Sequence, residues 1–158
     1  MIKVLFVCHG NICRSPMAEF LLKHTLKNLN KEEDFYISSA ATSMEELGNP
    51  VHPGARRKLS ELGIDTQGKY AVKMKKTDYG EYDYIIGMDD WNIRNILRIT
   101  GGDPDFKISK LLDFTDNPGD ISDPWYTGNF EETYDDIIKG VIGFLKKLQE
   151  ENKVKLWD

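Results

Sequence analysis

Residues 2–16, IKVLFVCHGNICRSP, constrain the fold more than any other stretch of this chain. The run IKVLFV (2–7) is short, β-branched and apolar on both faces, as a strand buried inside a parallel sheet should be. A helix is predicted directly behind it, from about Pro16 to Asn30. Ser15 is its cap, Pro16 its first residue, and Leu21, Leu22, Leu26 and Leu29 its apolar stripe. The rest of the chain continues the alternation. FYISSA (35–40), YDYIIGM (82–88) and KISKLLDF (107–114) read as further strands. Helices are predicted from near Pro53 to near Gly63, from Asp89 or Asp90 through Ile99, and over about 130–150. The expected fold class is α/β, a parallel sheet with helices on both faces, in a single domain over residues 1–158. Such sheets bind ligands outside the carboxyl ends of their strands. The segment that follows the first strand, residues 8–15, falls at that edge.

Composition narrows the partners. The net charge of -5 argues against a general nucleic-acid binder, which needs a basic face. No run of 18 apolar residues is present, so no membrane span is expected. The apolar run Val4–Val7 is too short for a signal-peptide core. A cytoplasmic, reducing location is expected, with both cysteines, Cys8 and Cys13, held as thiols. A zinc site is not expected, because His9, His24 and His52 show no paired ligand spacing.

The loop itself offers an anion site. Backbone N–H groups of residues 9 to 15 precede the first helical hydrogen bonds and can converge on one anion. Gly10 allows a positive φ and Asn11 tolerates one, which helps a short loop curl. Arg14 adds a planar cationic fork able to grip two phosphate oxygens. Cys8, at the strand end, lies at the base of this cradle. The donors and the arginine favour its thiolate form, and Ser15 can hydrogen-bond the sulfur. That is the equipment for covalent phosphoryl transfer through a phosphocysteine. Against it stand plain readings. A cysteine ending a core strand is usually packing, and Ser15 alone is a helix cap.

A thiolate nucleophile acting on a phosphate ester needs a general acid for the departing oxygen. The segment DISDPWYTGN (120–129) supplies a candidate in Asp123, whose backbone is restricted by Pro124. Trp125 and Tyr126 follow, facing either a substrate or the core.

Four blocks carry a resemblance: VLFVCHGNICRSPMAE at the start, SSAATSMEELGNP (38–50), YDYIIGMD (82–89) and SDPWYTGNF (122–130). Together they resemble the low-molecular-weight protein tyrosine phosphatase family over nearly the whole chain. The resemblance implies a twisted four-stranded parallel sheet with the phosphate-binding loop between the first strand and the first helix. It implies phosphotyrosine proteins or small aryl phosphates as substrates, and no metal or organic cofactor. Cys8 matches the nucleophile, Arg14 the phosphate-binding arginine and Asp123 the general acid and base. His9, Gly10, Asn11, Ile12, Cys13 and Ser15 match the phosphate loop, and Asn11, Ser15 and Ser39 the residues that hold it in shape. Trp125 and Tyr126 match the aromatic wall beside the substrate ring. Cys13 matches a cysteine that forms a reversible disulfide with the nucleophile under oxidation. A monomer with weak self-association is expected.

The chain departs from the resemblance at three positions. Glu45 stands where several members carry an aromatic, which is expected to turn preference away from acidic phosphopeptides. Lys69 stands where some have a supporting histidine, and His9 follows the nucleophile where leucine or threonine is common. His9 reads either as lining the pocket mouth or as an exposed loop residue. Three alternatives share the loop. An arsenate reductase of this fold relays a disulfide through further cysteines, which the chain lacks. A protein arginine phosphatase typically carries threonine at the position of Ile12. A non-catalytic anion-binding or redox-sensing module would not need Asp123.

Overall fold

A computed structural model describes every residue, Met1–Asp158. Four parallel strands form the sheet: β1 (Ile2–Cys8), β2 (Phe35–Ala41), β3 (Tyr84–Gly87) and β4 (Ile108–Lys110), in the order β2-β1-β3-β4. Side chains alternate across a strand, and β1 shows what that does. Val4, Phe6 and Cys8 face the larger core, while Leu5 and Val7 face the smaller one on the opposite side of the sheet. The larger core is built with α1 (Arg14–Asn28), α2 (Pro53–Ser60) and α6 (Phe130–Glu150). The smaller contains Ile85 and Ile96, the latter from α4 (Asp90–Thr100). Two single-turn helices complete the set, α3 (Asp78–Glu81) and α5 (Pro124–Thr127).

The strand order fixes where a ligand can sit. From the central β1 the chain crosses one way to β2 and the other way to β3, so a crevice opens between the carboxyl ends of β1 and β3. The loop after β1 and Asp89 after β3 flank that crevice.

Three local expectations need correction. The first helix begins at Arg14, with Cys13 at the cap position and no side-chain cap; Ser15 is inside the helix and its hydroxyl is used elsewhere. The fourth strand is only Ile108–Lys110, and residues Leu111–Phe114 turn into a 3₁₀ helix. Its apolar residues are drawn down onto α6, where a Cβ at Gly140 would lie 2.4 Å from Leu111 Cγ and one at Gly143 2.2 Å from the Phe114 carbonyl oxygen. Packing against a helix with two bare positions overrides the β-like composition. Finally, the segment 120–129, given no regular element from sequence, contains α5, capped by Asp123.

Candidate active site

The loop between β1 and α1 keeps its carbonyls turned outward. The Cys8 carbonyl accepts from Thr42 N–H at 2.9 Å, and His9 accepts from Ser43 N–H at 3.1 Å and Ser43 Oγ at 2.9 Å. The Ile12 carbonyl accepts from His52 N–H at 2.8 Å and that of Cys13 from Met17 N–H at 3.0 Å. The N–H groups of residues 9 to 14 donate to no group within the protein. A concave run of free donors at a helix N-terminus is an anion cradle. Asn11 makes the bend, with φ at 58°. Gly10 does not have the positive φ foreseen for it. Its bareness instead gives room to Glu46, whose Cγ would be 3.2 Å from a Cβ there.

Cys8 Sγ sits at the base of the cradle. Ser15 N–H approaches it at 3.4 Å and Ser15 Oγ at 3.0 Å. Asn11 sets the direction of that hydroxyl. Its Oδ1 accepts from Val72 N–H at 3.1 Å, and its Nδ2 donates to Ser15 Oγ at 2.8 Å and to Ser39 Oγ at 2.9 Å. With its oxygen already accepting, Ser15 is left to aim its hydrogen at the sulfur. Ser39 passes its own hydrogen to Glu19, a buried carboxylate on α1. Glu19 also faces Lys23 at 2.6 Å and Lys69 at 3.6 Å. Lys69 Nζ donates to the Ser39 carbonyl at 3.0 Å, so Lys69 does belong to the support network. Burial pulls the Lys69 ammonium below its usual range, and the Glu19 carboxylate opposes that. Asn11 and Ser15 thus act from behind the loop with their side chains, rather than lining the pocket.

Arg14 is almost fully buried. Its Nη1 donates to Asp89 Oδ2 at 2.7 Å and to the Ile121 carbonyl at 2.9 Å, and its Nη2 to Asp123 Oδ2 at 3.4 Å. Burial works against its charge, but Cys8, Asp89 and Asp123 together outweigh that and push its pKa up. Asp89 divides its oxygens, Oδ1 capping α4 through Asn92 N–H at 2.7 Å. Asp123 does the same, with Oδ1 accepting from Trp125 N–H at 3.0 Å.

The pocket over Cys8 is lined by His9, Gly10, Ile12, Cys13, Arg14, Glu45, Glu46, Asp123, Trp125 and Tyr126. Trp125 and Tyr126 are 56% and 82% exposed, so they form its wall and do not fold into the core. His9 lines the mouth, its Nε2 2.8 Å from Glu45 Oε2. Cys13 is a buried free thiol whose pKa is driven up by burial first and by the Cys8 and Asp123 charges next. No group of three His, Cys, Asp or Glu side chains is disposed to hold a metal ion. Sequence reasoning missed Glu19, Glu46, His52 and the Arg14-orienting role of Asp89. Only Glu19 left a signal, a carboxylate inside the apolar run Met17–Leu22.

The sequence model of the family described as low molecular weight phosphotyrosine protein phosphatase matches residues 3–154. The chain is 38% identical over 156 residues to the low molecular weight protein-tyrosine-phosphatase YfkJ of Bacillus subtilis, covering 98% of this chain and 100% of the relative. It is 36% identical over 158 residues to PtpA of Staphylococcus aureus, which bears the same description, covering 98% and 99%. The crystal structure of YfkJ superposes with a TM-score of 0.92 over 96% of each chain.

Proposed function

The chain belongs to the low molecular weight phosphotyrosine protein phosphatase family, and from that premise we propose that it hydrolyses phosphotyrosine and small aryl phosphates through a phosphocysteine on Cys8. The observation that carries the reading is one sulfur, Cys8 Sγ, beneath a run of free N–H donors, in a pocket shared with Arg14 and Asp123. The N–H groups and the Arg14 fork bind the phosphoryl oxygens. The Cys8 thiolate attacks phosphorus, and the bond from phosphorus to the ester oxygen breaks. Asp123 gives its proton to that departing oxygen. As a carboxylate it then takes a proton from the attacking water, the phosphorus–sulfur bond breaks, and inorganic phosphate and the thiolate are regenerated. Ser15, 3.0 Å from the sulfur, steadies the negative charge that returns to it as it leaves phosphorus.

The test is Asp123→Ala. Turnover of phosphotyrosine is expected to fall about 10²–10⁴-fold, the usual cost of removing a general acid. An unchanged rate would assign the acid role to another group.

The rim charge supports a substrate preference. Glu45 and Glu46 both line the pocket, Glu45 beside His9 Nε2 at 2.8 Å and Glu46 accepting from Asn49 Nδ2 at 2.6 Å. Phosphopeptides with acidic neighbours meet repulsion there. Glu45→Lys is expected to lower KM for an acidic phosphopeptide about threefold to tenfold, the effect shrinking as salt is added, because exposed charges are screened. A KM insensitive to both changes would remove Glu45 from substrate selection.

A further inference from the structure

We propose that His52 is a positioning residue that couples the acid loop to the phosphate loop. This rests on the reading of Asp123 as the general acid. His52 touches both halves of the site while lining neither. Its backbone N–H holds the Ile12 carbonyl at 2.8 Å and so keeps that stretch of the cradle facing inward. Its ring meets the Trp125 ring edge-on, centroids 5.6 Å apart, and stacks on Phe130 at 5.2 Å. Trp125 is two residues from Asp123, and its N–H is the group that Asp123 Oδ1 accepts. Phe130 opens α6, directly after the acid loop. The histidine ring therefore fills the space between the two ends of the segment that carries the acid.

The ring is itself fixed. Nδ1 accepts from Gly54 N–H at 3.0 Å, capping α2. A Cβ at Gly54 would lie 2.3 Å from the Phe130 ring, so the bare helix start is what lets Phe130 close onto His52. Aromatic pairs of this geometry attract one another beyond what their burial supplies. Trp125 is more than half exposed, and its edge contact with His52 is what bears on its orientation from the α2 side. Without the ring, the segment Asp123–Trp125 loses that support, and small misplacements of a catalytic group cost rate steeply.

Asp123 matters most when the leaving oxygen is basic. The readout is therefore the ratio of kcat/KM for para-nitrophenyl phosphate, whose phenolate leaves unaided, to that for phenyl phosphate, whose phenolate needs the proton. His52→Asn keeps a capping oxygen and the backbone N–H but removes the ring. It is expected to lower kcat/KM for phenyl phosphate about tenfold and for para-nitrophenyl phosphate less than about threefold, with inhibition by inorganic phosphate unchanged. His52→Phe keeps a ring and removes the cap acceptor. Its ratio should match the wild type while its Tm falls by a few degrees. Equal losses on both substrates in His52→Asn, no loss on either, or the same shift in His52→Phe overturns the proposal. Asp123→Ala is measured alongside. If it shifts the ratio and His52→Asn does not, only the coupling role fails; if it does not, the acid assignment fails and the coupling with it.

Discussion

The Cys8→Ser protein is expected to hydrolyse para-nitrophenyl phosphate at least about 10⁴-fold more slowly than the wild type, the scale on which enzymes lose rate when a nucleophile is removed. It is expected to keep its affinity for inorganic phosphate. The two halves of this expectation have separate causes. A serine hydroxyl is far less acidic than a thiol, so it supplies no anionic nucleophile at neutral pH. Binding, by contrast, comes from the N–H groups of residues 9 to 14 and from Arg14, none of which is altered. Their direction is set by carbonyls tied to Thr42, Ser43, His52 and Met17, and those bonds do not involve the sulfur. A spectrophotometric rate checks the first half and calorimetric titration with phosphate the second. Retained turnover would remove Cys8 as the nucleophile; lost phosphate binding would mean that the sulfur, rather than the backbone, shapes the cradle.

Arg14→Ala should damage both binding and stability. The guanidinium is buried and ties its own loop to two segments far away in sequence, at Asp89 and at the Ile121 carbonyl and Asp123. Truncation leaves the Asp89 and Asp123 carboxylates facing one another with no cation between them. Removing one partner of a buried charge network costs about 3–5 kcal/mol. Both carboxylates keep some contact with solvent, 21% and 23% exposed, so the lower end applies. For a chain of this size that lowers Tm by roughly 10 °C. Phosphate affinity should fall about 10²-fold or more with the loss of a fork able to hold two oxygens. Arg14→Lys separates charge from shape: a point charge is kept, the fork is not. Much of the stability and little of the phosphate affinity should return. Full recovery of phosphate binding by lysine would mean that charge alone is needed.

What could be read from the sequence and what could not divide along a physical line. Cys8, Arg14 and the loop between them are contiguous, and their chemistry is a matter of spacing within one turn of chain. Asp123 was legible because proline and two aromatics mark its loop. Ser15 was read both as a helix cap and as a partner of the sulfur, because a hydroxyl before Pro16 gives the same local signal in either role; the structure keeps the second, and Asn11, itself oriented by Val72, decides it. Glu19, Asp89 and His52 act through partners on other elements. Of the three, Asp89 alone had a sequence reading of its own, as a helix cap, and that reading carries no hint of Arg14. Residues Leu111–Phe114 looked like strand because Leu111, Leu112 and Phe114 are apolar, and nothing local discloses that Gly140 and Gly143 make room for them on α6. The parallel sheet was readable since both faces of β1 are apolar, which only burial between two layers requires.

The outward-tied carbonyls of the phosphate loop have a consequence for how portable this site is. Thr42 and Ser43 follow β2 and His52 precedes α2, so the curvature of residues 8–14 is imposed by chain that lies some thirty to forty residues downstream. The eight residues from Cys8 to Ser15 are therefore not a cassette. Grafted onto another strand and helix they would bring the sulfur and the arginine but not the clamps, and the anion itself would have to order donors that here are already in place. The recognisable signature is the short segment; the unit that can be inherited or transplanted intact is that segment together with the two stretches that hold it open.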